Sequence, residues 1–223
     1  MKFFTNLSIR FKESWSSIGL IFVISGILIG SALLLHFWQG ASFDSLTRDV
    51  ISLAVLPVYY GFLSQIGIVF WAGSVTVCLF GFRLCSNATG HRSSKRFLLS
   101  SALLTALLGI DDLFLFHEVI LPKYLGIPET ITFGVYGMLA ALYFLRFYTV
   151  ILKTNYIPLA VSLCFFLISI LIDIDVLPLS VSYKNLCEDG AKLVGIVSWL
   201  VYYFKASEYI AHRTNRADRI EFK

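Results

Sequence analysis

The sequence predicts an all-α, polytopic membrane protein with six transmembrane helices. Three observations carry that expectation. Of 223 residues, 57% are hydrophobic and only 14% are charged, against roughly 25% charged in an ordinary soluble domain. The apolar residues gather in runs of about 20, the length a helix needs to cross a hydrocarbon core. Lys and Arg concentrate in alternate connecting segments, the pattern of cytoplasmic loops. This composition excludes a disordered chain, a collagen-like chain and an ordinary cytosolic enzyme. The net charge of +4 marks loops on one side of a bilayer, and no nucleic-acid partner is expected.

The apolar runs cover about 18–38, 59–84, 97–121, 131–152, 157–177 and 186–204. The first, Ile18 to Trp38, exceeds the roughly 7–15 residues of a cleaved signal's apolar region and reads as a retained anchor. From Val50 to Leu84 the chain is almost continuously apolar. One helix there would be on the order of 50 Å long, so Pro57 and Gly61 are expected to break it. An Asp44/Ser45 cap signal opens a short interfacial or re-entrant helix over 43–56, between spans one and two. Short linkers and the lack of any repeat indicate a single transmembrane helical domain over 1–223. Cys78, Cys85, Cys164 and Cys187 form no CxxC pair and read as small buried hydrophobes.

Orientation follows from the basic residues. One side carries Lys2, Arg10, Lys12, Arg83, Arg92, Lys95, Arg96, Arg146, Lys153, Lys205, Arg213, Arg216, Arg219 and Lys223. The other carries Arg48, Lys123 and Lys184, and Lys192 lies within a span. The imbalance places both termini in the cytoplasm of a plasma or inner membrane. The Asn87–Thr89 sequon then falls in a cytoplasmic loop and carries no glycan.

The acids carry the functional signal. Asp111, Asp112, Glu118, Asp173, Asp175, Glu188 and Asp189 sit in or at the edge of apolar runs, together with His117 and Lys192. An ionised side chain at mid-membrane costs roughly 2.5–3.5 kcal/mol even on the lenient insertion scale. At 1.5 Å per residue, Asp111 stands about 22 Å above the cytoplasmic end of its span, Asp173 about 27 Å, Glu188 about 25 Å and Lys192 about 20 Å. Three spans therefore bring ionisable groups to one height in the outer half of the bilayer. In a straight third span, Asp111 and Glu118 share a face, and Asp112 and His117 point elsewhere. In the sixth, Glu188, Lys192, Gly195 and Trp199 form one stripe, with Glu188 and Lys192 in the favourable order for an intrahelical ion pair. Gly195 permits close helix approach. Ser101 and Thr105 offer interhelical hydrogen bonds, Tyr202 and Tyr203 read as interface anchors, and Trp199 is expected to face lipid.

Seven negative charges against one fixed positive charge call for protonation or a bound cation. The expected site is a divalent metal (Zn, Ca, Mg or Mn) held by Asp111, His117, Glu118, Asp173 and Asp189. Glu188 acts as general base, Lys192 steadies developing negative charge, and Asp112 completes the catalytic set. That set suits hydrolysis of a lipid or lipid-like substrate. The same carboxylates also suit a cation or proton transporter or sensor, or a non-catalytic assembly subunit in which buried charges fix helix register. The apolar stretches Leu103–Leu108, Leu159–Ile168 and Val194–Val201 disfavour a continuous polar channel. Expected partners are membrane lipids, a second copy of the chain or a membrane partner protein.

Overall fold

The computed structural model describes residues 2–48, 50–85, 92–176 and 181–221, with side chains described for 19, 21–48, 50–85, 92–176 and 183–213. The Asn87–Thr89 sequon, the end of the fifth run at Leu177, and the side chains of Lys2, Arg10, Lys12, Arg216, Arg219 and Lys223 lie outside the described residues. Among those described, the chain is helical and contains no strand.

The chain divides into two compact units, residues 1–60 and 61–223. The first holds α1 (Lys2–Gln39), α2 (Phe43–Thr47) and α3 (Val50–Leu53). Ser42, rather than Asp44 or Ser45, caps α2, accepting a hydrogen bond from the Ser45 amide. His36 closes the turn between α1 and α2, stacking on Phe43 and contacting the Ala41 carbonyl oxygen at 2.7 Å.

The second unit carries α4 (Phe62–Leu84), α5 (Arg92–Phe114), a π-turn at Phe116–Ile120, α6 (Leu121–Leu125), α7 (Glu129–Ile151), α8 (Ile157–Asp173) and α9 (Val181–Glu221). Among the described residues four helices are long and apolar enough to cross a membrane: Ile21–Gln39, Phe62–Leu84, Arg92–Phe114 and Glu129–Ile151. α8 is apolar but has 17 residues, and the apolar part of α9 is interrupted by Glu188, Asp189 and Lys192. The outer faces of α4, α5 and α7 expose large apolar side chains such as Val69, Phe80, Leu103, Met138, Leu142 and Leu145. Such surface is costly in water and stable against lipid.

α9 packs against both α4 and α8, and α4 packs against α5. The buried face of α4 is Gly67, Trp71, Ser74, Cys78 and Gly81, an alternation of three- and four-residue steps that makes a heptad seam. Small residues in that seam admit neighbouring helices. A Cβ on Gly81 would stand 2.8 Å from Ser207 on α9, and one on Gly109 of α5 would stand 2.9 Å from Trp71. Gly195 of α9 lies under the Phe166 ring of α8, 2.6 Å from where a Cβ would sit, and its carbonyl accepts from Ser162 at 2.7 Å.

Several polar and aromatic residues take places other than those expected from the sequence. Tyr202 and Tyr203 are fully buried rather than interfacial. Tyr203 meets the Tyr143 hydroxyl at 2.9 Å, Tyr143 meets Ser101 at 2.7 Å, and Tyr202 meets Thr154 at 3.2 Å. Trp199 is likewise buried, donating to Thr105 at 3.0 Å. Each ring edge finds a partner because a buried hydroxyl or indole N–H left unpaired costs free energy. Cys78 and Cys85 are buried, whereas Cys164 and Cys187 are exposed.

Gly195→Ala is expected to lower stability by about 1–3 kcal/mol, the range for overpacking a filled contact. Gly134→Ala, whose Cβ meets nothing within 4 Å, is expected to raise it by roughly 0.5–1 kcal/mol, the helix-propensity gain over glycine. Thermal unfolding of both variants in detergent checks the difference.

Candidate active site

The site is built around the end of α5. The helix stops at Phe114, seven residues short of the Leu121 expected from hydropathy. Leu115 takes a left-handed conformation (φ 52°), and the chain resumes as a π-turn. This break turns His117 back onto Asp111. The His117 amide donates to Asp111 Oδ1 at 3.0 Å, and its ring Nδ1 meets Oδ2. Tyr136 of α7 donates to the same Oδ1 at 2.7 Å. The other imidazole nitrogen, Nε2, stands 3.8 Å from Glu129 Oε1. A straight helix would not pair residues six apart, which is why the expected shared face of Asp111 and Glu118 is not found: Glu118 is exposed.

Asp112 makes a second cluster. Lys192 of α9 forms an ion pair with its Oδ1, and the Trp71 indole of α4 donates to Oδ2 at 3.1 Å. The expected intrahelical pair of Glu188 with Lys192 is absent among the described residues; the lysine reaches across to α5 instead. Asp112 is 7% exposed, whereas Glu188 is partly exposed, so the more deeply buried carboxylate has the greater need of a cation.

Both clusters open onto one cavity of about 270 Å³. Its walls hold Asp111, Asp112 and His117, Asp173 from α8, and Glu188 and Lys192 from α9. Trp71, Phe166 and Trp199 also line it as a contiguous aromatic layer, with ring centroids 5.8–6.2 Å apart. Asp173 and Glu188 make no hydrogen bond or ion pair through their carboxylates among the described residues. Lys184, near the start of α9, bonds Asp175 at 2.7 Å and the Asp173 carbonyl oxygen at 3.0 Å, tying α9 to the end of α8. The Asp175 carboxylate raises its pKa above the ordinary lysine value.

The chain belongs to the family described as a domain of unknown function, DUF8692. The family model matches residues 18–206. No curated protein and no solved structure matches the chain. The match takes in every residue of the cavity wall.

Within this DUF8692 chain the sequence-expected site residues separate into two groups. Asp111, Asp112, His117, Asp173, Glu188 and Lys192 line the cavity. Glu118 lies outside its lining, and Asp189 lines a smaller recess beside Asp112 and Lys192. Among the described residues no group of three or more His, Cys, Asp or Glu side chains is arranged to hold a metal ion. Of the expected ligands, Asp111 and His117 are engaged with each other, and Asp111 takes three donors from His117 and Tyr136. Trp71 and Tyr136 were not among the sequence candidates. Their signal was a polar-tipped aromatic inside an apolar run, which must find a partner if buried.

The left-handed turn at Leu115 makes a direct prediction. Leu115→Ile is expected to lower stability by roughly 1–2 kcal/mol, because a β-branched residue is poorly tolerated at positive φ. Leu115→Gly should stay within about 1 kcal/mol of the parent. Equal thermal midpoints for the two variants would contradict this account of the break.

Proposed function

We propose that the protein is a six-span membrane hydrolase. It cleaves an ester or amide of a lipid-like substrate in the extracytoplasmic half of a plasma or inner membrane, with both termini cytoplasmic. One observation carries the proposal: one apolar cavity holds two satisfied charge pairs, Asp111–His117 and Asp112–Lys192, beside two carboxylates that form no ion pair among the described residues. Two features support counting six spans. α8 is about 25 Å long at 1.5 Å per residue, near the lower limit for a crossing. Of the three charges that interrupt α9, Lys192 is directed to Asp112 rather than to lipid. The short helices over 43–53 fit the interfacial segment expected between spans one and two.

The chemistry follows from the residues present. Glu188 takes a proton from water as the water oxygen attacks the substrate carbonyl carbon. Lys192 directs its ammonium hydrogens at the oxyanion that forms, and Asp112 positions that ammonium. The imidazole of His117 lies between Asp111 and Glu129. It gives a proton to the leaving alkoxide or amine as the carbon–oxygen or carbon–nitrogen bond breaks. The proton on Glu188 returns through water to His117. The apolar stretches Leu103–Leu108, Leu159–Ile168 and Val194–Val201 disfavour a continuous polar path, which suits a hydrolase better than a transporter.

The test is turnover of a medium-chain fluorogenic ester and the matching amide by purified protein in phosphatidylcholine nanodiscs. Glu188→Gln is expected to lower kcat by roughly 10²–10⁴-fold, and Lys192→Met by about 10²–10³-fold. Elemental analysis of the same preparation reports on a divalent ion. A stoichiometric metal whose removal abolishes turnover would transfer water activation from Glu188 to that ion. Proton or cation flux across liposomes without hydrolysis would favour the transporter reading, and neither activity would favour an assembly subunit.

A further inference from the structure

The cavity has an unbalanced charge, and that imbalance describes its ligand. Four carboxylates face it, from Asp111, Asp112, Asp173 and Glu188, against two basic groups, His117 and Lys192. Both basic groups are engaged by the first two carboxylates. Lys184 is engaged by Asp175 and by the Asp173 backbone. Among the described residues Asp173 and Glu188, brought from two different helices into largely apolar surroundings, hold no ion pair of their own. Ionised carboxylates so placed are stabilised by a cation.

The kind of cation follows from the walls. A hard divalent ion held by two carboxylates fills the rest of its shell with water, and a hydrated ion is poorly served by apolar walls. An ammonium group has three hydrogens to donate and needs only a few acceptors. Its carbon substituents suit apolar walls, and the faces of Trp71, Phe166 and Trp199 attract positive charge. An anionic headgroup would meet the surplus negative charge. We propose, on the premise that this cavity is the substrate site, that it selects substrates bearing a protonated amine. The ammonium sits on Asp173 and shares one oxygen of Glu188, leaving the other for the attacking water. The apolar part of the substrate lies along the aromatic layer.

Bromine quenches indole fluorescence at short range, so small aryl bromides report occupancy of the cavity. The probes are 3-bromobenzylammonium and uncharged 3-bromobenzyl alcohol, which share size and shape. The host is the full chain carrying Trp15→Phe and Trp38→Phe, in which Trp71 and Trp199 are the remaining tryptophans, in neutral phosphatidylcholine nanodiscs. The ammonium probe is expected to quench at a concentration at least about 10-fold below that of the alcohol, the ratio that one charged contact of about 1.4 kcal/mol provides. Asp173→Asn should reduce that ratio at least about 3-fold, and Asp173→Asn with Glu188→Gln should abolish it. Glu118→Gln, which removes an exposed carboxylate away from the cavity lining, should preserve it. Equal quenching by both probes, or a preference that survives the double substitution, overturns the proposal. Should the double variant fail to fold, the Asp173→Asn ratio decides alone. An ammonium preference without ester turnover upholds this inference and overturns the hydrolase. Turnover with no such preference does the reverse.

Discussion

Ion pairing in apolar surroundings is the constraint on which the rest of this structure depends. Asp112 is held at 7% exposure between a lysine from α9 and an indole from α4. Three helices are thereby tied at one point by charge rather than by shape alone. Removing the Lys192 charge would leave the Asp112 carboxylate buried and uncompensated, a far larger penalty than the pair's net contribution. Asp111 repeats the device with His117 and Tyr136, joining α5 to the π-turn and to α7. The two adjacent aspartates point to different partners because neighbouring helical positions are 100° apart. One doublet therefore organises four elements.

Packing and polar chemistry reinforce one another around that doublet. Gly109 lets Trp71 lie against α5, and the same close approach brings the Trp71 N–H to Asp112. Gly195 admits Phe166, whose ring stacks with Trp71 and leans on Trp199. Farther along the bundle, Ser101, Tyr143 and Tyr203 satisfy one another in an otherwise apolar core. The buried charges Asp111 and Asp112 thus meet their partners at the cavity, and the Ser101–Tyr143–Tyr203 hydroxyls pair in a separate layer.

What could be read from the sequence divides along physical lines. Helix existence was legible, because long apolar runs leave few alternatives. The approximate level of Asp111, Asp173 and Glu188 was also legible, since helix rise is constant, and all three line one cavity. Rotation and pairing were not. Lys192 was expected on Glu188, four residues away, but tertiary contact with Asp112 prevails because its carboxylate is the more buried. His117 was expected to point away from Asp111. Its return depends on a left-handed leucine, and Leu115 has no glycine or proline beside it to announce a break. Tyr202 and Tyr203 resembled interface anchors by position, yet both lie in the core. Tyrosine is found in either setting when its hydroxyl has a partner, so composition alone does not separate them.

The most direct test of the central claim is a charge-exchange cycle at Asp112 and Lys192, read as thermal midpoint in phosphatidylcholine nanodiscs. The account predicts that Asp112→Lys and Lys192→Asp each destabilise the protein strongly, by placing like charges together. The combined exchange should recover at least about 1.5 kcal/mol relative to the sum of the single effects, the scale of one charged hydrogen bond. Strict additivity of the two substitutions would contradict it and leave the meeting of α5 with α9 to packing alone.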